Sequence, residues 1–438
     1  MQALLSYDQS PPLAAPFRFF LSAPVFGILA GLLLLWSGAD LFSSRWTPGV
    51  LALTHLITVG FMLQIMLGAL VQILPVVAGA NMSRPLLVLG AVHAAICLGT
   101  LFLVAAFLSF LPYWFTAAAI FLGAGVTVFI ALAAHALFGI PSTSPTISGL
   151  KFALVGLAVT VGLGVALSLS FGWSLNLPLL QLADIHLGWG FVAWGTVLLA
   201  AVAYVVVPMF QLTPAYPGWF GRGFPLSALA LVLIWTLADF VMPGFVATLS
   251  SVSVVAVVAL FAAVTLNIQR RSKRTRFDAT QHLWRGAMCS ALAACAVWLL
   301  ALAVPVVGEW PGWPLLCGVL LLFGGFVSVI VGMLYKIVPF LIWLHLQNQG
   351  QGIMMAPNMK KIIDDQAMSR QMLAHFVSCA LLLLAVFWPD WFVCPAGLAL
   401  IVAYGWLLRN LLAAMSVYRG HQHKIAAVIA TQQTPPSL

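Results

Sequence analysis

Apolar runs of roughly 20 residues, each long enough to cross a bilayer as a helix, follow one another along almost the entire chain, separated by prolines, glycines and charges. They fall at 18–39, 48–76, 85–110, 113–138, 148–172, 177–211, 225–246, 248–268, 286–307, 313–345, 370–388 and 391–417. The pattern predicts an all-α membrane protein of about twelve transmembrane helices. The tightest connection is PGFVATL, which must turn the chain between the seventh and eighth spans.

Three of the runs share a design. LALTHLITVGFMLQIMLGALVQILPVVAGA carries His55 and Pro75, LPLLQLADIHLGWGFVAWGTVLLAAVAYVVVP carries His186 and ends on Pro208, and PLLCGVLLLFGGFVSVIVGMLYKIVP ends on Pro339. His55 stands 20 residues before its proline and His186 stands 22 before its own, while 20 back from Pro339 lies Val319. Gly68 and Gly332 each stand seven residues before theirs. Recurrence at about a third of the chain predicts a threefold internal repeat. The quasi-repeats are placed at about 18–138, 148–268 and 286–417, inside one membrane domain covering 1–438, with 425–438 as a disordered tail.

Composition sharpens this picture. Hydrophobic residues make up 63% of the chain and charged residues 6%; a soluble fold carries about 25% charged residues. The opening MQALLSYDQSPPLAAPF has no basic region leading into a short apolar core and cleavage site, so the first span is expected to act as the targeting signal.

The net charge of +9 would suggest nucleic acid if it were not distributed by topology. With the N-terminus cytoplasmic, 17 of the 18 Lys and Arg residues fall in inner segments or at inner helix ends, Arg84 among them, and Arg45 alone lies outside. That asymmetry predicts an even number of spans with both termini inside and no nucleic-acid partner. The basic cluster from Arg270 to Arg276 is expected to meet lipid headgroups. Six cysteines scattered through apolar runs, with no CxxC or CxxH pair, exclude a disulfide framework, a zinc finger and an attached c-type haem.

The chemistry must then lie inside the bundle. His55 and His186 sit about eight or nine residues into spans that enter from outside, and Cys317 about five; at 1.5 Å per residue this is a common layer roughly 8–13 Å below the outer surface. His93 and His375 lie in the inner half, in the repeated spacing His93-x-x-x-Cys97 and His375-x-x-x-Cys379, which puts each His and Cys one turn apart. An imidazole in hydrocarbon needs a partner. One reading is two metal layers, His55 with His186 and His93 with His375, suited to haem iron or copper, with Cys317 in reserve. The other is that each imidazole makes one interhelical hydrogen bond. Asp184, two residues from His186, could take up a ring N–H of that histidine, and Asp239 in WTLADFVMPG is a second candidate for the same layer. The glycines of the three similar spans would permit close helix approach or leave room for a flat macrocycle.

THLITVGF with GALVQILP resembles the second helix of subunit I of the haem-copper oxidase superfamily, which includes nitric oxide reductases; its histidine ligates the low-spin haem. HLGWGF resembles the sixth helix, whose histidine is a copper ligand, and GMLYKIVPFLIW resembles the end of the tenth helix of the C-family oxygen reductases. The resemblance covers nearly the whole chain in outline through short motifs. It implies an oxidase-like twelve-helix bundle in the bacterial inner membrane, binding haem b with copper as a further candidate, His55 being an axial ligand and His186 a second axial ligand or a copper ligand. It implies as partners a c-type cytochrome or another respiratory subunit, besides membrane lipid or a second copy of the chain. The family's His-x-His of helix 10 is replaced by Cys317 and Val319, and the paired histidines of helix 7 are missing from LSALALVLIWTLADF. The departures point away from oxygen or nitric oxide reduction and toward a repurposed relative of the NnrS type, working in electron transfer or in the sensing or handling of a diatomic gas or metal. Two rival classes share the same spans: a proton-coupled small-molecule or metal transporter using Asp184, Asp239 and the histidines, and a respiratory scaffold subunit without cofactor.

Overall fold

A computed structural model of the chain describes residues 11–78, 85–242, 244–350 and 354–433. Among them are twelve helices long and apolar enough to span a membrane. They are α1 (Ala14–Ser37), α2 (Pro48–Pro75), α3 (Pro85–Ser109), α4 (Pro112–Phe138), α5 (Pro145–Trp173), α6 (Leu179–Gln211), α7 (Gly218–Val241), α8 (Phe245–Arg270), α9 (Ala279–Ala303), α10 (Trp313–Gly350), α11 (Asp365–Phe387) and α12 (Pro389–Ala430). No strand occurs among the described residues, and twelve crossings return residue 433 to the side of residue 11. Inner and outer follow the charge-based orientation.

Several helices start earlier than hydropathy alone predicts, because polar residues cap or continue them. Asp278 accepts from the Gln281 backbone N–H, so α9 begins at Ala279 rather than 286; Asp364 accepts from the Ala367 N–H and starts α11 at Asp365. These side chains satisfy donors that the first helical turn leaves orphaned. The tight connection between α7 and α8 turns through Gly244 at φ +100°, a conformation that L side chains rarely adopt. The last helix runs on to Gln433, so 425–433 is helical where a disordered tail was expected. Residues 434–438 of that tail, and Arg84, lie outside the described residues.

The bundle is layered around the three similar helices. In α2, α6 and α10, 78, 67 and 67% of the most apolar window is buried, against 28–39% for every other span except α1. Around them the remaining helices close a ring in which α12 packs on α1, α4 on α5 and α8 on α9. The helices of the three proline-bearing runs are thus the most deeply buried of the twelve.

The three inner helices share an irregularity that sequence pattern did not announce. Each widens into a π-helical stretch: Leu56–Leu63 in α2, Trp189–Thr196 in α6 and Val319–Val327 in α10. Winding by i→i+5 rather than i→i+4 displaces backbone carbonyls from the regular ladder, and such stretches concentrate at functional sites. A buried polar side chain at the end of each stretch meets one of those carbonyls: Gln64 Nε2 donates to Gly60 O (2.7 Å), Thr196 Oγ1 to Phe191 O (2.8 Å) and Ser328 Oγ to Phe323 O (3.2 Å). Pro75, by contrast, lies within the helix that closes α2, and Pro208 and Pro339 likewise lie inside α6 and α10. The inner helices are continuous at their prolines and distorted above them.

At the inner end, Asp278 binds Lys336 Nζ of α10 at 2.7 Å and Arg274 at 3.0 Å, and Arg274 also donates to Phe210 O of α6. Burial alone would raise the Asp278 carboxyl, but the Lys336 hydrogen bond and charge, with the Gln281 N–H and Arg274, hold it below its ordinary value. The basic loop expected at the headgroups is thus also tied to two of the three inner helices.

A histidine pair between the first two inner helices

His55 closes the first α-helical turns of α2 immediately before its π stretch, and His186 sits three residues before the π stretch of α6. The fold brings the two imidazoles together: their ring centres are 6.5 Å apart and their planes 16° from parallel. His55 Nδ1 lies 2.7 Å from Leu51 O, one turn back on its own helix, and His186 Nδ1 lies 3.0 Å from Thr160 O on α5. A carbonyl can only accept, so both protons are on Nδ1. The lone pair of each ring is therefore on Nε2, and neither Nε2 has a hydrogen-bond partner among the described residues.

Small residues make this arrangement possible. A Cβ on Gly164 of α5 would lie 3.0 Å from His186 Cε1, so glycine is what lets α5 bring the Thr160 carbonyl to the ring. About two turns earlier, Gly156 passes directly against the Ala193 carbonyl of α6. Phe107 of α3 covers the other ring, 5.2 Å from His55. The site is thus framed by α2, α3, α5 and α6.

Above it the two histidine-bearing segments are cross-linked. Arg45, on the connection before α2, forms a two-pronged ion pair with Asp184 of α6, Nη1 to Oδ1 at 2.9 Å and Nη2 to Oδ2 at 3.2 Å, and its guanidinium also stacks over Trp46. Asp184 is therefore not the acceptor for His186; that role belongs to Thr160 O, because two residues along α6, a little over half a turn, send the carboxylate to Arg45 while the ring turns to α5. Asp239 accepts from Gln181 Nε2 at 2.9 Å, joining α7 to the start of α6 rather than entering the histidine site. The one basic residue predicted outside is the clamp across this site.

The inner histidines are placed differently. His93 Nε2 is 2.8 Å from Ser22 Oγ of α1, which also bonds Gln64 Oε1 at 2.5 Å, and the Cys97 thiol lies 3.5 Å from the same nitrogen. His375 Nε2 is 2.8 Å from Ser328 Oγ of α10, with the Cys379 thiol at 3.6 Å. Each leans on the residue that closes a π stretch, His93 through Ser22 and His375 directly. The two are not brought to each other; one packs against α1 and α2, the other against α10. Cys317 turns to α9, where its thiol donates to Ala294 O at 3.6 Å. No group of three or more His, Cys, Asp or Glu side chains capable of holding a metal occurs among the described residues.

Sequence reasoning singled out both histidines of the pair but missed what surrounds them. Thr160 contributes only its carbonyl, which no residue pattern advertises. The residues that close the π stretches did leave a signal: Gln64, Thr196 and Ser328 stand 11, 12 and 11 residues before Pro75, Pro208 and Pro339, each a polar residue in an apolar run. No protein-family model and no curated protein sequence matches this chain.

Proposed function

We propose that His55 and His186 are the two protein ligands of a b-type haem, and that the protein is a multi-pass membrane haem protein working in electron transfer or in the handling of a diatomic gas. The observation that carries this reading is the pair of open Nε2 lone pairs on two buttressed, near-parallel imidazoles. The two rings lie near-parallel with centres 6.5 Å apart, near enough that one bound iron would be within reach of both. Fixing Nδ1–H on a carbonyl is how protein surroundings commonly set the tautomer and orientation of a ligating histidine.

The donor set favours haem over a bare ion. A porphyrin supplies four nitrogens to its iron and asks the protein for two, whereas zinc usually takes three or four protein ligands. Copper(I), which accepts two-coordinate binding, is the second reading that the same pair of nitrogens supports. When bound, a haem iron supplies reversible one-electron chemistry. The chain's own contribution is to hold the two rings at fixed spacing through Leu51 O, Thr160 O and the Arg45–Asp184 clamp. The resemblance of the second and sixth spans to oxidase subunit I accords with this reading, while the absence of histidines from α7, and the Cys317 and Val319 that stand in α10 where the oxidases carry His-x-His, speak against oxygen reduction.

A transporter is less well supported. Asp184 and Asp239 are both hydrogen-bonded, and the space among the three inner helices is lined by apolar residues.

The test is the visible spectrum of the detergent-purified protein, oxidised and dithionite-reduced, beside His55→Ala and His186→Ala. A Soret band with sharp reduced α and β bands, lost in either variant, is the expected result. A featureless spectrum after expression with ample haem, from correctly folded protein, overturns the haem assignment, and elemental analysis then decides for or against copper.

A further inference from the structure

Directly beneath the three π stretches the inner helices part around a cavity of about 70 Å³. Its wall is formed by Ile65 and Met66 of α2, Leu198 and Val202 of α6, and Phe326 and Met333 of α10, with further aliphatic residues and no polar side chain. Close packing is the rule in protein interiors, so a partly open apolar pocket between the most buried helices calls for a reason. The π turns provide a local one. They end at residues 63, 196 and 327, and the cavity begins at 65, 198 and 326, so regular winding resumes on three widened helices that have not closed again on their common axis.

We infer that this cavity is a binding site for a small, uncharged, apolar molecule of diatomic size. A water molecule there would find none of the two to four polar partners it needs. Ions and protons are excluded by the same lining. An engineered apolar cavity of ~150 Å³ stays dry and takes up benzene or xenon; at about half that volume this partly open one is of a size for a single xenon atom or a diatomic gas. Phe326, which lines the cavity, lies with its ring centre 5.6 Å from Phe191, and Phe191 is five residues beyond His186. Along α2 the cavity starts no more than about 15 Å below His55. Gas held in the cavity would thus lie against the Phe326–Phe191 pair, five residues along α6 from His186. That gas is the natural occupant rests on the proposed gas handling at His55 and His186; the apolar site itself does not.

Xenon separates the two. Crystals of the full chain pressurised with xenon should show an anomalous peak between Met66, Leu198 and Met333, and Ala69→Phe, which fills the cavity from α2, should lose it; Val329→Phe fills it from α10 and serves where Ala69→Phe does not fold. Absence of the peak in the wild type, water or acyl-chain density in its place, or an undiminished peak in the filled variants overturns the site. These readouts need no haem. In haem-loaded protein, flash photolysis of the carbon monoxide complex tests the link: the filled variants should show a larger geminate fraction, with an unchanged absorption spectrum, and an unchanged fraction would disconnect the cavity from the pair.

Discussion

The outer and inner histidines of this bundle present the same side chain, at similar depth from opposite faces, with opposite outcomes. In the outer pair each imidazole spends its N–H on a backbone carbonyl and leaves Nε2 without a hydrogen-bond partner among the described residues. In the inner set Nε2 is the atom engaged, by Ser22 for His93 and by Ser328 for His375, and a cysteine one turn away closes in on it. A carbonyl on Nδ1 fixes the proton there and leaves the Nε2 lone pair open; a hydroxyl on Nε2 occupies that nitrogen itself. The neighbour, more than the histidine, decides between a site and a structural support.

The largest expected effect lies in the outer layer. His186→Ala should abolish the haem spectrum altogether, while His375→Ala should leave it intact; if both variants lose the Soret band equally, the two layers are not distinct. Gly164→Val should come next. Its side chain would displace His186 from the Thr160 carbonyl, and haem content measured by pyridine haemochrome should fall severalfold with no change at His93 or His375.

In the inner layer the cost is stability rather than spectrum. Ser328→Ala removes the partner of a buried imidazole, for which about 1–3 kcal/mol is typical, and should lower the denaturation midpoint without shifting the absorption bands. A shifted band would mean that the inner layer reaches the cofactor. Breaking the outer clamp with Arg45→Ala should be milder, under about 1 kcal/mol for so exposed a pair. The charge-swapped double variant Arg45→Asp with Asp184→Arg should restore the haem midpoint potential that the single variant shifts; if it does not, the clamp has no part in spacing the rings.

The smallest effect is in pH. Asp278 has a carboxyl held below its ordinary value, so its contribution is complete above about pH 4 and is lost as the pH falls through the depressed value of the folded chain. Asp278→Asn should therefore be less stable than the wild type at neutral pH and converge with it only in strong acid. A gap that persists there would assign the role to shape rather than charge.

Much of this was legible beforehand. The twelve spans, the repeat of the three proline-bearing runs, and His55 and His186 as a candidate pair all follow from apolar length, periodicity and the rarity of an ionisable group in hydrocarbon. The starts of α9 and α11 were misplaced because hydropathy is blind to a polar first turn held by a capping aspartate. Closeness in the chain made Asp184 a candidate partner of His186, whereas helical geometry sends the two in different directions.

What the amino-acid pattern determined by itself is the class of molecule, its number of crossings and the layer in which an imidazole would have to find a partner, because these depend on composition and spacing along one helix. For His55 the open nitrogen follows from its own helix, through Leu51 O; for His186, His93 and His375 it was decided by the tertiary structure. It depends on a carbonyl of α5 reaching His186 past two glycines, and on hydroxyls of α1 and α10 reaching His93 and His375. Backbone groups are the same at every position in the chain, so only packing can select the carbonyl of another helix that sets a tautomer.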